Sequence, residues 1–323
     1  MAVLPNKETR RMSNSGTANF ADLDGYECAF GGTHVQLTVT GRGDFIARLT
    51  WLNLRHLKVL RGCEELPRIA YLSLPRTRTF VSFPTDEGPL IWNGLALQLG
   101  DIVFHSRGER MYQRTTGEGR WGLISLPAPQ LALYSNALSG RKIVAPPIGR
   151  VLRPQRNIAA HLLRLHTKAC RLAETTDSLT EQPDIAKALE REMLHALVDC
   201  LAVDDVRGNW LKRQRHTNIM VRFENALAAH PGRQPAISEL CSAVGVPERT
   251  LRICCAEFLG MSPTKYVLLR RLNMVRSALR HADPETASVA EIARSYEFSE
   301  LGRFAVTYRR IFGEMPSATL RVR

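Results

Sequence analysis

Arginine, set twice on the outward side of a short helix, is the residue type in this sequence best placed to do chemistry. Its planar guanidinium stays charged and donates paired hydrogen bonds to planar or anionic acceptors. Two segments carry it. Glu248, Arg249, Arg252 and Ile253 face outward in one, and Leu301, Gly302, Arg303 and Val306 in the other. Helical spacing sets them opposite Leu251, Cys255 and Phe258 in the first segment, and opposite Phe304, Tyr308, Ile311 and Phe312 in the second. Catalytic alternatives are thin. Nine histidines are present, but none pair as H-x-H, H-x-x-x-H or H-E-x-x-H. Neither a G-x-S-x-G elbow nor a G-x-x-x-x-G-K-[ST] phosphate loop occurs. Asp101 and Glu109 are not spaced as an acid–base pair, and Arg42 between two glycines reads as turn chemistry. The expectation is a protein that is not an enzyme and holds no metal or cofactor.

The arginines need elements to position them, and the sequence supplies the same arrangement twice. Ala236-Ile-Ser-Glu-Leu-Cys-Ser-Ala-Val-Gly-Val246 and Ser288-Val-Ala-Glu-Ile-Ala-Arg-Ser-Tyr-Glu-Phe298 repeat at an offset of 52 residues. Each reads as a short helix and a sharp turn, with a second helix following at about 247–258 and about 299–312. Ser288 and Glu291 spell a capping box, whereas Ala236 gives the first copy a weaker start. Gly245 stands where the turn calls for positive φ, and Glu297 takes that place in the second copy. Pro247 suits a first helical position. Gly260 and Gly313, with Pro263 and Pro316 beyond them, stop the second helices. Between the copies, 264–281 reads as one amphipathic helix. Tyr266, Leu269, Leu272, Val275 and Leu279 form its stripe, and Arg270, Arg271, Arg276 and Arg280 lie largely on other faces. Such a helix can hold two recognition helices about one DNA turn, roughly 34 Å, apart.

Charge points the same way. Of the chain's net +13, residues 211–323 contribute +8, from 18 Lys and Arg against 10 Asp and Glu. That suits a polyanion such as nucleic acid or an anionic membrane surface. The seven cysteines are odd in number, form no C-x-x-C pair and include the adjacent Cys254 and Cys255, so reduced thiols in the cytoplasm are expected. Residues 1–11 hold no apolar stretch of signal-peptide length, and no run of about 18 apolar residues predicts a membrane span.

Upstream the texture differs. Residues 1–20 are polar and read as a disordered tail. From 21 to 150, short apolar or alternating runs at 34–39, 45–51, 69–74, 79–83, 95–99, 102–105 and 121–126 are cut by glycine and proline, which predicts a β-sandwich or barrel. Trp51, Trp92 and Trp121 are candidates for a pocket lining, with core packing favoured. Residues 155–174 and 184–203 have helical periodicity, with linkers at 175–183 and 204–214. The second helix reads equally as a dimer interface or a cover for the β-region.

The C-terminal constellation resembles the AraC/XylS family of transcription regulators. Gly245-Val-Pro-Glu-Arg-Thr-Leu251, Gly260-Met-Ser-Pro263 with Tyr266, Arg271-Leu272, and Gly302-Arg-Phe-Ala-Val-Thr-Tyr-Arg-Arg-Ile-Phe-Gly313 with Pro316 carry the likeness over about 100 residues. Glu297 for a glycine and Cys255 for an aromatic are departures. The resemblance implies an α+β protein. Its parts are a β-rich, barrel-like (cupin-like) effector or dimerisation domain over 21–150, a helical extension over 151–210, and an all-α DNA-binding domain of two helix-turn-helix units over 211–323. It further implies that Arg249, Arg252 and Ile253 of unit one, and Gly302, Arg303 and Val306 of unit two, face bases. Thr250, Ser299, Arg309 and Arg310 are placed for phosphates, with Glu248 and Leu301 beside them. Double-stranded operator or promoter DNA, a small-molecule effector, RNA polymerase and a second copy of the chain are the implied partners. The competing reading is a small-molecule-binding or enzymatic β-barrel whose helices bind a partner.

Overall fold

The computed structural model describes residues 14–175, 183–203 and 210–321. Most of the predicted tail lies outside these residues, as do most of the first linker and 204–209 of the second. The N-terminal part is built from β1 (Ser15–Phe20), α1 (Leu23–Cys28), β2 (His34–Val39), β3 (Ala47–Asn53), β4 (Lys58–Glu64), β5 (Arg68–Ser73), β6 (Arg78–Pro84), β7 (Leu90–Trp92), β8 (Leu95–Leu97), β9 (Ile102–Phe104), β10 (Arg110–Thr115), β11 (Gly119–Pro127), α2 (Ala128–Ser139) and β12 (Arg150–Leu152). Seven strands form one antiparallel sheet, in the order β1-β3-β4-β11-β6-β9-β12, and five form another, β2-β5-β10-β7-β8. The barrel-like expectation is corrected: the two sheets share no strand, so they stack as layers and do not close.

Strand β1 also corrects the tail. Ser15 to Phe20 pair with Leu52 to Ala47, and the Trp51 ring lies over the facing Gly16, where a Cβ would meet it at 2.7 Å. Trp121 covers its cross-strand partner Gly62 in the same way. Trp92 and Trp121 belong to the core between the sheets, together with Leu37 and Val39 of β2 and with Phe45, Phe80 and Met111. A buried polar chain crosses this core. Glu64 Oε1 accepts from Tyr26 Oη at 2.6 Å and from Trp121 Nε1 at 2.8 Å, and Glu64 Oε2 accepts from Arg68 at 3.3 Å.

The other face of the seven-stranded sheet is covered by α2, α3 (Arg156–Thr175) and α4 (Pro183–Leu201). In β6 and β9 the two faces are buried in turn. Phe80 and Val103 point between the sheets, while Val81, Phe83, Ile102 and Phe104 point at the helices. That explains their near-continuous apolar runs. Helix α4 buries Leu189, Met193, Leu197 and Leu201 against this layer, which supports its role as a cover.

The remaining elements are α5 (Trp210–Ala229), α6 (Ile237–Val244), α7 (Glu248–Leu259), α8 (Pro263–His281), α9 (Val289–Ser295), α10 (Leu301–Phe312) and α11 (Pro316–Arg321). Helix α5 begins inside the stretch expected to be a linker. Unit one packs on the outer face of the five-stranded sheet, so Ile69, Tyr71 and Tyr112 share a core with Phe223, Leu251, Cys255, Phe258 and Tyr266. Unit two has its own core of Leu272, Val275, Leu279, Ala293, Phe304, Tyr308, Phe312 and Leu320.

Candidate nucleic-acid interface

Each unit is set by its turn. In unit one, α6 ends at Gly245 with φ 70°, and the amides of Gly245 and Val246 both reach the Cys241 carbonyl, at 2.8 and 3.2 Å. In unit two, Glu297 takes φ 59°, and the Phe298 amide reaches the Ala293 carbonyl at 3.0 Å. Both turns therefore have one backbone shape, although only one has glycine. Ser288 caps α9 by accepting from the Ala290 amide at 3.2 Å, one residue earlier than a capping box would place the bond. Pro247 is the residue before α7 and not its first helical position. Helices α7 and α10 end at Gly260 and Gly313, with φ of 70° and 84°.

Helices α7 and α10 expose the residues that the spacing sets outward, except Leu301. On α7, Leu251, Cys254, Cys255 and Phe258 are buried, while Glu248, Arg249, Arg252 and Ile253 are exposed and Thr250 is partly so. On α10, Phe304, Tyr308 and Phe312 are buried. Gly302, Arg303, Val306, Arg309 and Arg310 are exposed, Leu301 is partly buried, and Ser299 is exposed just ahead of the helix. Ile253 at 50% and Val306 at 70% exposure are apolar groups left in water, which suits contact with thymine methyls.

The spacing does not reveal how the charges pair. Arg252 binds Glu248 through Nη2 at 2.6 Å and Nε at 2.7 Å, an i, i+4 pair open to solvent. Arg303 stands 3.9 Å from Glu300. The linker helix departs further from expectation. Arg270, Arg271 and Arg276 are buried, not outward, because each finds acceptors in an element far away in sequence. Arg270 pairs with Glu224 on α5, whose other carboxylate oxygen accepts from Tyr112 Oη at 2.6 Å. Arg276 binds Glu314 at 2.9 Å and the Gly43 carbonyl at 3.3 Å, with its guanidinium 4.7 Å from the centre of the Phe312 ring. Asn273 pairs with both backbone groups of Val39, each at 3.1 Å, and so closes the edge strand β2. Arg42, read as turn chemistry, donates to the Arg310 carbonyl at 2.8 Å.

Other chemistry finds little support. Ser82, His105 and Glu109 form a hydrogen-bonded chain, with Ser82 Oγ 2.7 Å from His105 Nε2 and His105 Nδ1 3.1 Å from Glu109. All three are buried, so the chain ties β6 to β9 and offers no exposed nucleophile. The run Gly117-Glu-Gly-Arg-Trp-Gly122 has dinucleotide-loop spacing but opens strand β11, so no helix N-terminus meets a phosphate there. Among the described residues, no cluster of three His, Cys, Asp or Glu could hold a metal, and no helix is long and apolar enough to cross a membrane.

A family model described as a helix-turn-helix domain matches residues 240–321. The thc operon regulatory protein (described as probable) of Rhodococcus erythropolis is 35% identical over 95 residues, which is 29% of each chain. The XylDLEGF operon transcriptional activator of Pseudomonas putida is 36% identical over 89 residues, or 28% of each chain. The alignments thus span under a third of these relatives. Among solved structures, the AraC-like transcriptional activator CuxR covers 87% of this chain and 100% of its own, at 16% identity and a TM-score of 0.41. ToxT of Vibrio cholerae covers 90% of this chain and 97% of its own, at 9% identity and a TM-score of 0.28. The paired units, their turns and the 240–321 match converge on one assignment: the C-terminal part of this chain carries a helix-turn-helix domain similar to those of these operon regulators.

Proposed function

We propose that this chain is a sequence-specific DNA-binding regulator of transcription. One observation carries the reading: two turns of the same backbone shape, 52 residues apart, each present a helix with a buried apolar face and an exposed face of arginine and aliphatic groups. In this reading Arg249, Arg252, Ile253, Gly302, Arg303 and Val306 meet base edges, while Thr250, Ser299, Arg309 and Arg310 meet phosphates. Glu248 is the counterion that Arg252 exchanges for DNA, and Leu301 shapes the start of α10. The 19-residue helix α8 is about 28 Å long, which suits neighbouring segments of one face of a duplex.

The rest of the chain takes the regulatory part. Residues 21–150 form the effector and dimerisation region, 151–210 its helical extension, and 211–323 the DNA-binding region. A small molecule is the effector, a homodimer the assembly, RNA polymerase a further partner, and the cytoplasm the location. Activation is the sense of control, since the Pseudomonas relative is a transcriptional activator. Exposed Leu133, Val144 and Ile185 supply apolar surface for pairing copies. Continuity of the core from the five-stranded sheet into unit one gives a ligand-induced shift a direct path to a recognition helix.

The test is titration of the full chain against duplexes selected from a randomised pool. Affinity should fall steeply with salt through counterion release. Arg252→Ala should cost about 1–3 kcal/mol on the selected duplex and relax preference at one base position. Unchanged affinity would remove Arg252 from the site.

A further inference from the structure

The second turn carries a glutamate where its backbone favours glycine, and the structure shows what that side chain does. Glu297 Oε2 accepts from the backbone amide of Gln234, at 2.9 Å, across the boundary between the two units. Gln234 lies in the loop between α5 and α6 of unit one. Arg271, 2% exposed on the linker helix, holds the same loop and the same turn together. Its Nε lies 3.1 Å from both the Gly232 carbonyl of unit one and the Tyr296 carbonyl of unit two. Its Nη1 donates to the Gln234 side chain, its Nη2 to the Tyr296 carbonyl, and the guanidinium lies 4.1 Å from the centre of the Phe298 ring. Gly232 presses against Tyr296 so closely that a Cβ there would meet the ring at 3.0 Å.

We propose that Glu297 and Arg271 form a clamp that fixes the register of the two recognition helices, and so sets the spacing between half-elements that the protein accepts. This rests on the DNA-binding reading. The cores of the units are separate, so beyond α8 and the contacts each unit makes with the N-terminal part, the relation of α7 to α10 depends on these inter-unit contacts. One inserted base pair moves the second half-element by about 3.4 Å and turns it by about 34°. A clamped pair cannot follow that change, whereas a loosened pair can. Glu297 is a positioning residue: it accepts a strained turn in return for an inter-unit hydrogen bond.

Glu297→Gly separates the two effects, because glycine suits φ 59° and the fold should be kept or strengthened. The probe is the duplex selected by the wild-type chain, remade with the gap between half-elements one base pair longer or shorter. Wild type should lose about tenfold or more in affinity, and Glu297→Gly less than about threefold, with Glu297→Gln restoring selectivity through its carbonyl acceptor. Equal spacing penalties in wild type and Glu297→Gly would overturn the proposal. Amide exchange at Gln234 in the free protein gives a second readout. It should quicken in Glu297→Gly, and unchanged protection would overturn the clamp. Failure of wild type to retain any duplex would instead sink the DNA-binding reading, and Gln234 exchange would still decide the clamp.

Discussion

Replacing Glu224 by leucine should destabilise the protein by about 3–5 kcal/mol, because it strands a buried cation. Glu224 is 2% exposed and Arg270 is 7% exposed, with one carboxylate oxygen on Arg270 and the other 2.6 Å from Tyr112 Oη. Three elements meet there: α5, α8 and the strand β10. Burial raises the Tyr112 phenol well above its usual range, and the Glu224 charge raises it further, so the group is a donor at all working pH values. In the leucine variant the Arg270 guanidinium loses its counterion inside a shared apolar core, which is the costly half of a buried pair. Changing Arg270 to methionine as well removes the stranded charge. The double variant then keeps only the unmet Tyr112 hydroxyl, at about 1–3 kcal/mol. The double variant should therefore be more stable than Glu224→Leu alone by about 2 kcal/mol. Urea unfolding of the wild type, both single variants and the double variant measures it. A Glu224→Leu loss under about 1 kcal/mol would refute the reasoning, since water or another acceptor would then satisfy Arg270 and the pair would not anchor unit one.

Two further outcomes follow from buried groups elsewhere. Burial lowers the His166 imidazole to about 4 from 6.5, with Arg61 adding to the effect and the Leu60 carbonyl opposing it. Between these values the unfolded chain binds a proton that the fold does not, so stability should fall as pH drops from about 7 to about 4. The loss is roughly 3 kcal/mol. Denaturant midpoints across that range should drop less in His166→Gln, and parallel curves would rule the histidine out as the cause. Burial also pushes the Cys170 and Cys200 thiols up to about 12 and Cys254 up to about 11. Brief alkylation at pH 8 should therefore modify exposed Cys28 and spare these three, as read by peptide mass. Labelling of Cys254 as fast as Cys28 would show that the core of unit one opens readily.

The sequence exposed the helix-turn-helix units because their information is local and doubled. Turn, stop and apolar spacing recur within about 60 residues, and the same turn geometry tolerates Glu297 once its carboxylate finds the Gln234 amide. The strands fared unevenly for a physical reason. β6 and β9 are buried on both faces and read as apolar runs, whereas β10 carries Arg110, Gln113 and Arg114 and gives no such signal. Its burial comes from unit one, more than 100 residues later, which covers Tyr112 and accepts its hydroxyl. The buried arginines of α8 were hidden for the same reason: a guanidinium is an outward residue until its acceptors are known, and those of Arg270 and Arg276 lie 46 and 38 residues away. Strand β1 escaped notice because its mostly polar or small residues read as tail until Trp51 covers Gly16.

The two units are alike in their turns and unlike in their attachment, and that asymmetry bears on how a regulator of this build would respond. Unit one shares its core with Ile69, Tyr71 and Tyr112 of the five-stranded sheet, so a shift in that sheet must either move α7 or break apolar packing. Unit two borrows no residue from the sheets for its core and meets the N-terminal part through polar contacts, such as Arg42 on the Arg310 carbonyl and Arg276 on the Gly43 carbonyl. Apolar packing is short-ranged and tolerates little displacement, while an exposed polar contact such as Arg42 on the Arg310 carbonyl exchanges readily for water. A signal arising between the sheets would therefore reach unit one first, and reach unit two through α8 and the Arg271–Glu297 contacts. Weakening those contacts should uncouple the second recognition helix while leaving the first under control.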